Sequence, residues 1–158
     1  MKFLVISGAP GTGKTTAINK IAEWLRIRGS LTTDSKGNIL PSFLISAQGN
    51  YKDFSVVIIY LGIKIIIHSA TDDKYIINEL LELIKQNPNT DIVITSCRDI
   101  YWERDYFTNN VRPFATFFLE SALGKITRRN NFILADNWYK NTLLEMHQHI
   151  LENNPYNL

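Results

Sequence analysis

Gly8-Ala9-Pro10-Gly11-Thr12-Gly13-Lys14-Thr15 is the stretch that decides the fold, because it fits the spacing G-x-x-x-x-G-K-[ST]. Each fixed position has a physical task. Gly8, Gly11 and Gly13 reach backbone angles closed to residues with a Cβ, so main-chain N–H groups come close to a phosphate. Lys14 carries a positive charge toward the outer phosphates, and the Thr15 hydroxyl is placed to ligate Mg²⁺. Thr12 and Thr16 flank these two and complete the predicted phosphate cradle.

The surroundings agree with the motif. Lys2-Phe3-Leu4-Val5-Ile6 reads as a short buried strand. After the loop, Ile18, Ile21, Ala22 and Leu25 recur at helical spacing until Gly29. A strand, a glycine loop and a helix in that order aim a helix N-terminus at a bound anion.

Further along, Phe54–Tyr60 and Ile63–His68 are β-branched runs separated by Leu61-Gly62, which predicts a tight β-hairpin. Tyr75–Ile84 has helical periodicity and stops at Asn87-Pro88. Asp91–Thr95 and Ala115–Leu119 read as two further strands. A last amphipathic helix is expected to start at Asp136 as its N-cap and to carry Leu143, Leu144, Met146 and Ile150. Ser30–Ser42 is turn-rich and reads as a surface loop. Strands alternating with helices predict an α/β fold of three layers, its central sheet mostly parallel with the hairpin added.

Composition narrows the class. The chain has 158 residues, 45% hydrophobic and 20% charged, which suits one folded domain spanning 1–158. A net charge of +2 and a pI near 8.6 are too mild to argue for nucleic acid or a membrane surface. The single Cys97 excludes an internal disulfide, and a cytoplasmic setting is expected. The most apolar stretch, Val56–Ile67, is short for a membrane span and is broken by Gly62 and Lys64.

In parallel sheets ligands gather at the carboxyl ends of the strands. That rule singles out Asp72 and Asp73 after His68 as metal or catalytic acids, with Asp72 the metal candidate. Asp34 and Asp99 are weaker alternatives, and Thr71, Asp72 and Asp99 also look like helix N-caps. Arg98 and Arg104, and later Arg128 and Arg129, offer planar cations for phosphate oxygens. His147 and His149 lie two apart on a helix and make a poor metal pair. His68 and Cys97 read as packed residues, while Tyr101, Trp102 and Tyr106 read as filling core gaps.

From Gly8 to Thr15 the chain resembles the P-loop NTPase superfamily. Its size and the run Ile94-Thr95-Ser96-Cys97-Arg98 followed by Arg104 resemble small P-loop kinases of the nucleoside and nucleotide type. The resemblance implies ATP and Mg²⁺ as ligands. It places Ser96, Arg98 and Arg104 toward a phosphoryl acceptor, and Arg128 or Arg129 in a lid. No N-K-x-D segment for reading guanine occurs, which favours ATP over GTP. The expectation is a Mg²⁺-dependent phosphotransferase acting on a nucleotide or other small molecule. The alternative is an ATPase or nucleotide switch that works with a nucleic acid or protein partner.

Overall fold

The computed structural model describes residues 1–28, 31–34, 51, 53–99, 101–126 and 132–158. The first strand, β1 (Lys2–Gly8), leads through the glycine loop into α1 (Lys14–Arg28). β2 (Leu31–Asp34), β3 (Ser55–Tyr60) and β4 (Ile63–His68) follow, then α2 (Lys74–Gln86) and β5 (Ile92–Arg98). α3 (Tyr101–Val111), a 3₁₀ turn (Arg112–Phe114), β6 (Phe117–Ala122) and α4 (Phe132–Glu152) complete the order.

The described strands form one sheet in the order β2-β3-β4-β5-β1-β6. β1 pairs in parallel with β5 on one side and β6 on the other, and β4 pairs in parallel with β5. β3 is antiparallel to both β2 and β4, so it alone runs against the rest. The expected hairpin is therefore present, with Leu61 and Gly62 both at positive φ in its turn. β2 adds a strand beyond the hairpin, which the reading of Ser30–Ser42 as loop did not anticipate; residues 35–42 lie outside the described residues.

The central strands are buried on both faces, which is why they read as unbroken apolar runs. Leu4, Ile6, Ile65, Ile67 and Ile94 face Ile18, Ile21 and Leu25 of α1 and Leu143 and Leu151 of α4. Their neighbours Phe3, Val5, Ile66 and Val93 point the other way, onto Ile77, Leu80 and Ile84 of α2 and Phe107 and Val111 of α3. The result is three layers, helix–sheet–helix, as expected. Beyond α4, the Tyr156 hydroxyl donates to the Phe3 carbonyl at 2.7 Å and ties the chain end to the central strand.

Four local expectations change. α4 begins at Phe132, and Asp136 sits inside it, paired one turn on with Lys140 rather than capping. Ile133, Leu134 and Ala135 are compatible with helix and extend it backward. α2 is capped by Asp73, whose carboxylate accepts the Ile76 N–H at 3.0 Å, not by Thr71 or Asp72. β6 runs from Phe117 to Ala122, two residues later at its start than Ala115–Leu119, because the 3₁₀ turn after Arg112 takes up Pro113 and Phe114. Trp102 is 56% exposed and fills no core gap, whereas Tyr106 packs against the α2–α3 core as expected and its hydroxyl donates to Asn78.

Candidate nucleotide site

Gly8 lies at the end of β1 with φ +151°, where the chain leaves the sheet. A Cβ there would stand 2.7 Å from the Thr12 Oγ1 and 3.1 Å from the Leu123 carbonyl, so glycine is required by space as well as by angle. The Thr12 hydroxyl closes the loop by donating to the Ala9 carbonyl at 2.8 Å. Lys14 is almost wholly buried and curls back to donate to the carbonyls of Gly8 (2.8 Å) and Ala9 (3.1 Å). Burial lowers its pKa from the ordinary lysine value, against the attraction of Asp72. The ammonium is thus held by neutral carbonyls, which a polyphosphate outcompetes because it also carries charge.

A cleft of about 520 Å³ opens in front of this loop. It is lined by Gly11 to Thr16, by Ser69, Asp72, Ser96 and Arg98 from the exits of β4 and β5, and by Asp136, Tyr139, Lys140 and Leu143 of α4. The two strand exits are stitched together. Ser96 Oγ donates to the Ser69 carbonyl at 2.8 Å, and Thr71 Oγ1 donates to the Ser96 carbonyl at 2.7 Å. Arg98 Nε donates to Asp72 Oδ1 at 2.8 Å, and its Nη1 lies 4.0 Å from Glu103 Oε1. Arg98 and Asp72 therefore reach the cleft as an ion pair.

The sequence reading missed Asp53. The Thr15 hydroxyl donates to Asp53 Oδ1 at 3.0 Å, and Ser69 Oγ lies 3.4 Å from the same oxygen. Asp53 precedes β3, and because β3 is antiparallel its start lies on the edge where the parallel strands end. A search confined to positions after strands passes over it.

Of the other expected site residues, Gly8, Gly11, Thr12, Gly13, Lys14, Thr15 and Thr16 form the cradle, and Asp72 and Arg98 face it. Asp73 does not join them, since it caps α2. Arg104 does not either: its guanidinium forks onto Glu120 with two bonds of 2.8 Å and lies 3.8 Å from Asp99. That pair raises the Arg104 pKa and lowers that of Glu120, chiefly through the shared hydrogen bonds. Arg128 and Arg129 lie outside the described residues, and the side chain of Asp34 is not among those described.

The packed residues match expectation. Cys97 is buried and its thiol is pushed up to about 11 by burial, which keeps it unreactive. His68 bonds Ser55 and His147 bonds Ser121, and burial lowers each imidazole to about 4. No group of three or more His, Cys, Asp or Glu side chains stands ready for a metal among the described residues. No described helix is long and apolar enough to cross a membrane.

Comparison with known proteins agrees with the cradle. The sequence model of the family described as novel STAND NTPase 3 matches residues 1–130. The chain is 30% identical over 155 residues to the DNA replication ATP-dependent helicase/nuclease DNA2 of Saccharomyces cerevisiae (strain ATCC 204508 / S288c). That alignment takes in 87% of this chain and 10% of the yeast protein, so the chain spans about a tenth of its relative's length. No solved structure matches. These matches bear out the resemblance to P-loop NTPases and lend no support to the one with small kinases. The family match runs from β1 past β6 and takes in every cleft residue except those of α4, and the chain belongs to the novel STAND NTPase 3 family.

Proposed function

We propose that this chain is a nucleotide-binding domain that holds Mg·ATP and hydrolyses it, with water and not a small molecule as the phosphoryl acceptor. The observation that carries this reading is one cleft lined by Lys14, Thr15 and Asp72, with Asp53 accepting a hydrogen bond from the Thr15 hydroxyl. The family's description as an NTPase supports it.

The residues suit a hard cation. The Thr15 hydroxyl and the Asp53 carboxylate are 3.0 Å apart, and Asp72 lines the same cleft, so the donors are oxygens. With so few side-chain donors, the remaining positions fall to water and phosphate oxygens, the habit of Mg²⁺. Bound there, the ion would neutralise charge on the outer phosphates. Thr15, Asp53 and Asp72 would hold it.

This chain's own residues do the rest. Lys14 exchanges its two carbonyl partners for phosphate oxygens. The N-terminus of α1 directs free N–H groups to the same oxygens. Arg98, held in place by Asp72 and Glu103, brings a second cation to the far end of the triphosphate. Small displacements of Asp72 then pass to Arg98, and through the Ser69–Ser96–Thr71 bonds to both strand exits.

A nucleic-acid partner is part of the proposal. Its support is the relative's description as a DNA replication helicase/nuclease. The test is mass spectrometry of products after incubation with Mg·ATP, with and without single-stranded DNA and a pool of nucleosides, nucleotides and sugars. ADP and inorganic phosphate, released faster with DNA, is the expected result. A phosphorylated small molecule would restore the kinase reading and end this one. Asp53→Asn is expected to raise the Mg²⁺ concentration needed for half-maximal turnover several-fold, and an unchanged requirement would remove Asp53 from the metal.

A further inference from the structure

Glu103 carries its charge in a place nearly closed to water. It stands in the first turn of α3, and its side chain is only 7% exposed. A helix N-terminus favours an acid in that turn, which offsets part of the cost of burial. Its two oxygens are nevertheless poorly served. Oε1 lies 4.0 Å from Arg98 Nη1, an ion pair without a hydrogen bond. Oε2 is buried with no hydrogen-bond partner among the described residues. A buried carboxylate oxygen without a donor is costly, so the group able to supply one matters.

Arg98 is that group. Its Nε donates to Asp72 Oδ1 at 2.8 Å, while Nη1 faces Glu103. The guanidinium thus stands between two carboxylates of unlike setting. Asp72 is nearly half exposed and lines the cleft, whereas Glu103 is buried and takes no part in the lining. The neighbouring Arg104 cannot substitute, because both of its Nη groups are spent on Glu120. A shift of about 1 Å would bring Arg98 Nη1 within hydrogen-bond length of Glu103.

We propose that Glu103 is a positioning residue for Arg98, a second seat that the guanidinium takes when Asp72 turns to the metal. The proposal rests on the nucleotide reading above. Asp72 cannot serve Arg98 and a hard cation equally through one oxygen, so its bond to Arg98 weakens once it becomes a ligand. With no other carboxylate in reach, Arg98 would then swing freely, and each phosphate contact would cost the entropy of a long side chain. Glu103 removes that cost by holding the Nη1 end, which leaves the Nε and Nη2 donors for phosphate oxygens. Burial strengthens this seat, since paired charges act through a lower dielectric away from water.

The test is a double-mutant cycle on the intact chain, read by calorimetric titration with Mg·ATP and with Mg·ADP. Its corners are the parent, Glu103→Gln, Arg98→Ala and the double variant, with circular dichroism to confirm folding. Glu103→Gln is expected to weaken Mg·ATP about tenfold, the worth of one hydrogen bond between charged groups, and to leave Mg·ADP nearly unchanged. In the Arg98→Ala background the same change is expected to cost nothing further. Glu103→Asp, which keeps the charge on a shorter side chain, recovers part of the loss. It also takes the Glu103→Gln corner, with the same direction expected, if that variant does not fold. Urea unfolding without nucleotide is expected to show little coupling between the two residues, because the 4.0 Å gap carries no hydrogen bond. Full ATP affinity in Glu103→Gln would overturn the proposal. So would equal losses for ATP and ADP, or a loss undiminished without Arg98, since either marks a general structural effect. A parent chain that binds neither nucleotide ends the nucleotide reading itself, and this proposal falls with it.

Discussion

Gly8→Ala tests the cradle at its tightest point. The added Cβ would meet Thr12 Oγ1 at 2.7 Å and the Leu123 carbonyl at 3.1 Å, and the residue would keep φ +151°, a conformation alanine rarely adopts. The backbone term alone is about 1–3 kcal/mol. Moving Thr12 away breaks its 2.8 Å bond to the Ala9 carbonyl, about 1 kcal/mol more. The Leu123 carbonyl has less room to give, since that residue's N–H is tied to Ser7 on β1. A loss of about 2–4 kcal/mol follows, either as lower global stability or as a remodelled loop. Urea unfolding reads the first and calorimetric titration with tripolyphosphate reads the second. Thr12→Ala in the same chain removes the nearest contact, and Gly8→Ala in that background is expected to cost less but not nothing. If Gly8→Ala unfolds at the same urea concentration as the parent and binds tripolyphosphate equally well, the close approach described here is wrong.

His68 and His147 are buried neutral with pKa near 4, below the unfolded value of about 6.5. The unfolded chain therefore takes up more protons between these values, and stability is full above pH 6.5 and falls as pH drops toward 4. The slope is about 1.4 kcal/mol per pH unit for each histidine within that window, and His147→Gln is expected to flatten the profile of urea midpoints. Arg104→Ala is expected to cost about 1 kcal/mol, because the fork onto Glu120 is well formed but partly open to solvent. ATP affinity in that variant should match the parent within twofold, and a large drop would return Arg104 to the site.

Much of this structure was legible because it depends on local signals. The glycine loop, the β1 run before it and the Leu61-Gly62 turn each prescribe a conformation from a few adjacent residues. The site's acids were less legible. Asp72 follows a parallel strand and obeys the rule for such sheets, and the structure puts it on the wall of the candidate cleft. Asp53 was missed because its place on the same edge depends on β3 running backward, a property of the whole sheet. Asp73 and Arg104 are absent from the cleft lining for the opposite reason: an Asp before a helix and an Arg near an acid take local partners, the Ile76 N–H and Glu120. The start of α4 at Phe132 was hidden because Asp136 is both a good cap and, four residues before Lys140, a good helix pair.

The central claim is that Lys14 serves the phosphates of a nucleotide. Its direct test is calorimetric titration of Mg·ATP into the parent chain and into Lys14→Ala, with circular dichroism confirming that both are folded. The account predicts saturable one-to-one binding to the parent and a loss of at least a hundredfold in the variant, equivalent to about 2.7 kcal/mol. A folded Lys14→Ala that binds Mg·ATP as tightly as the parent would contradict it.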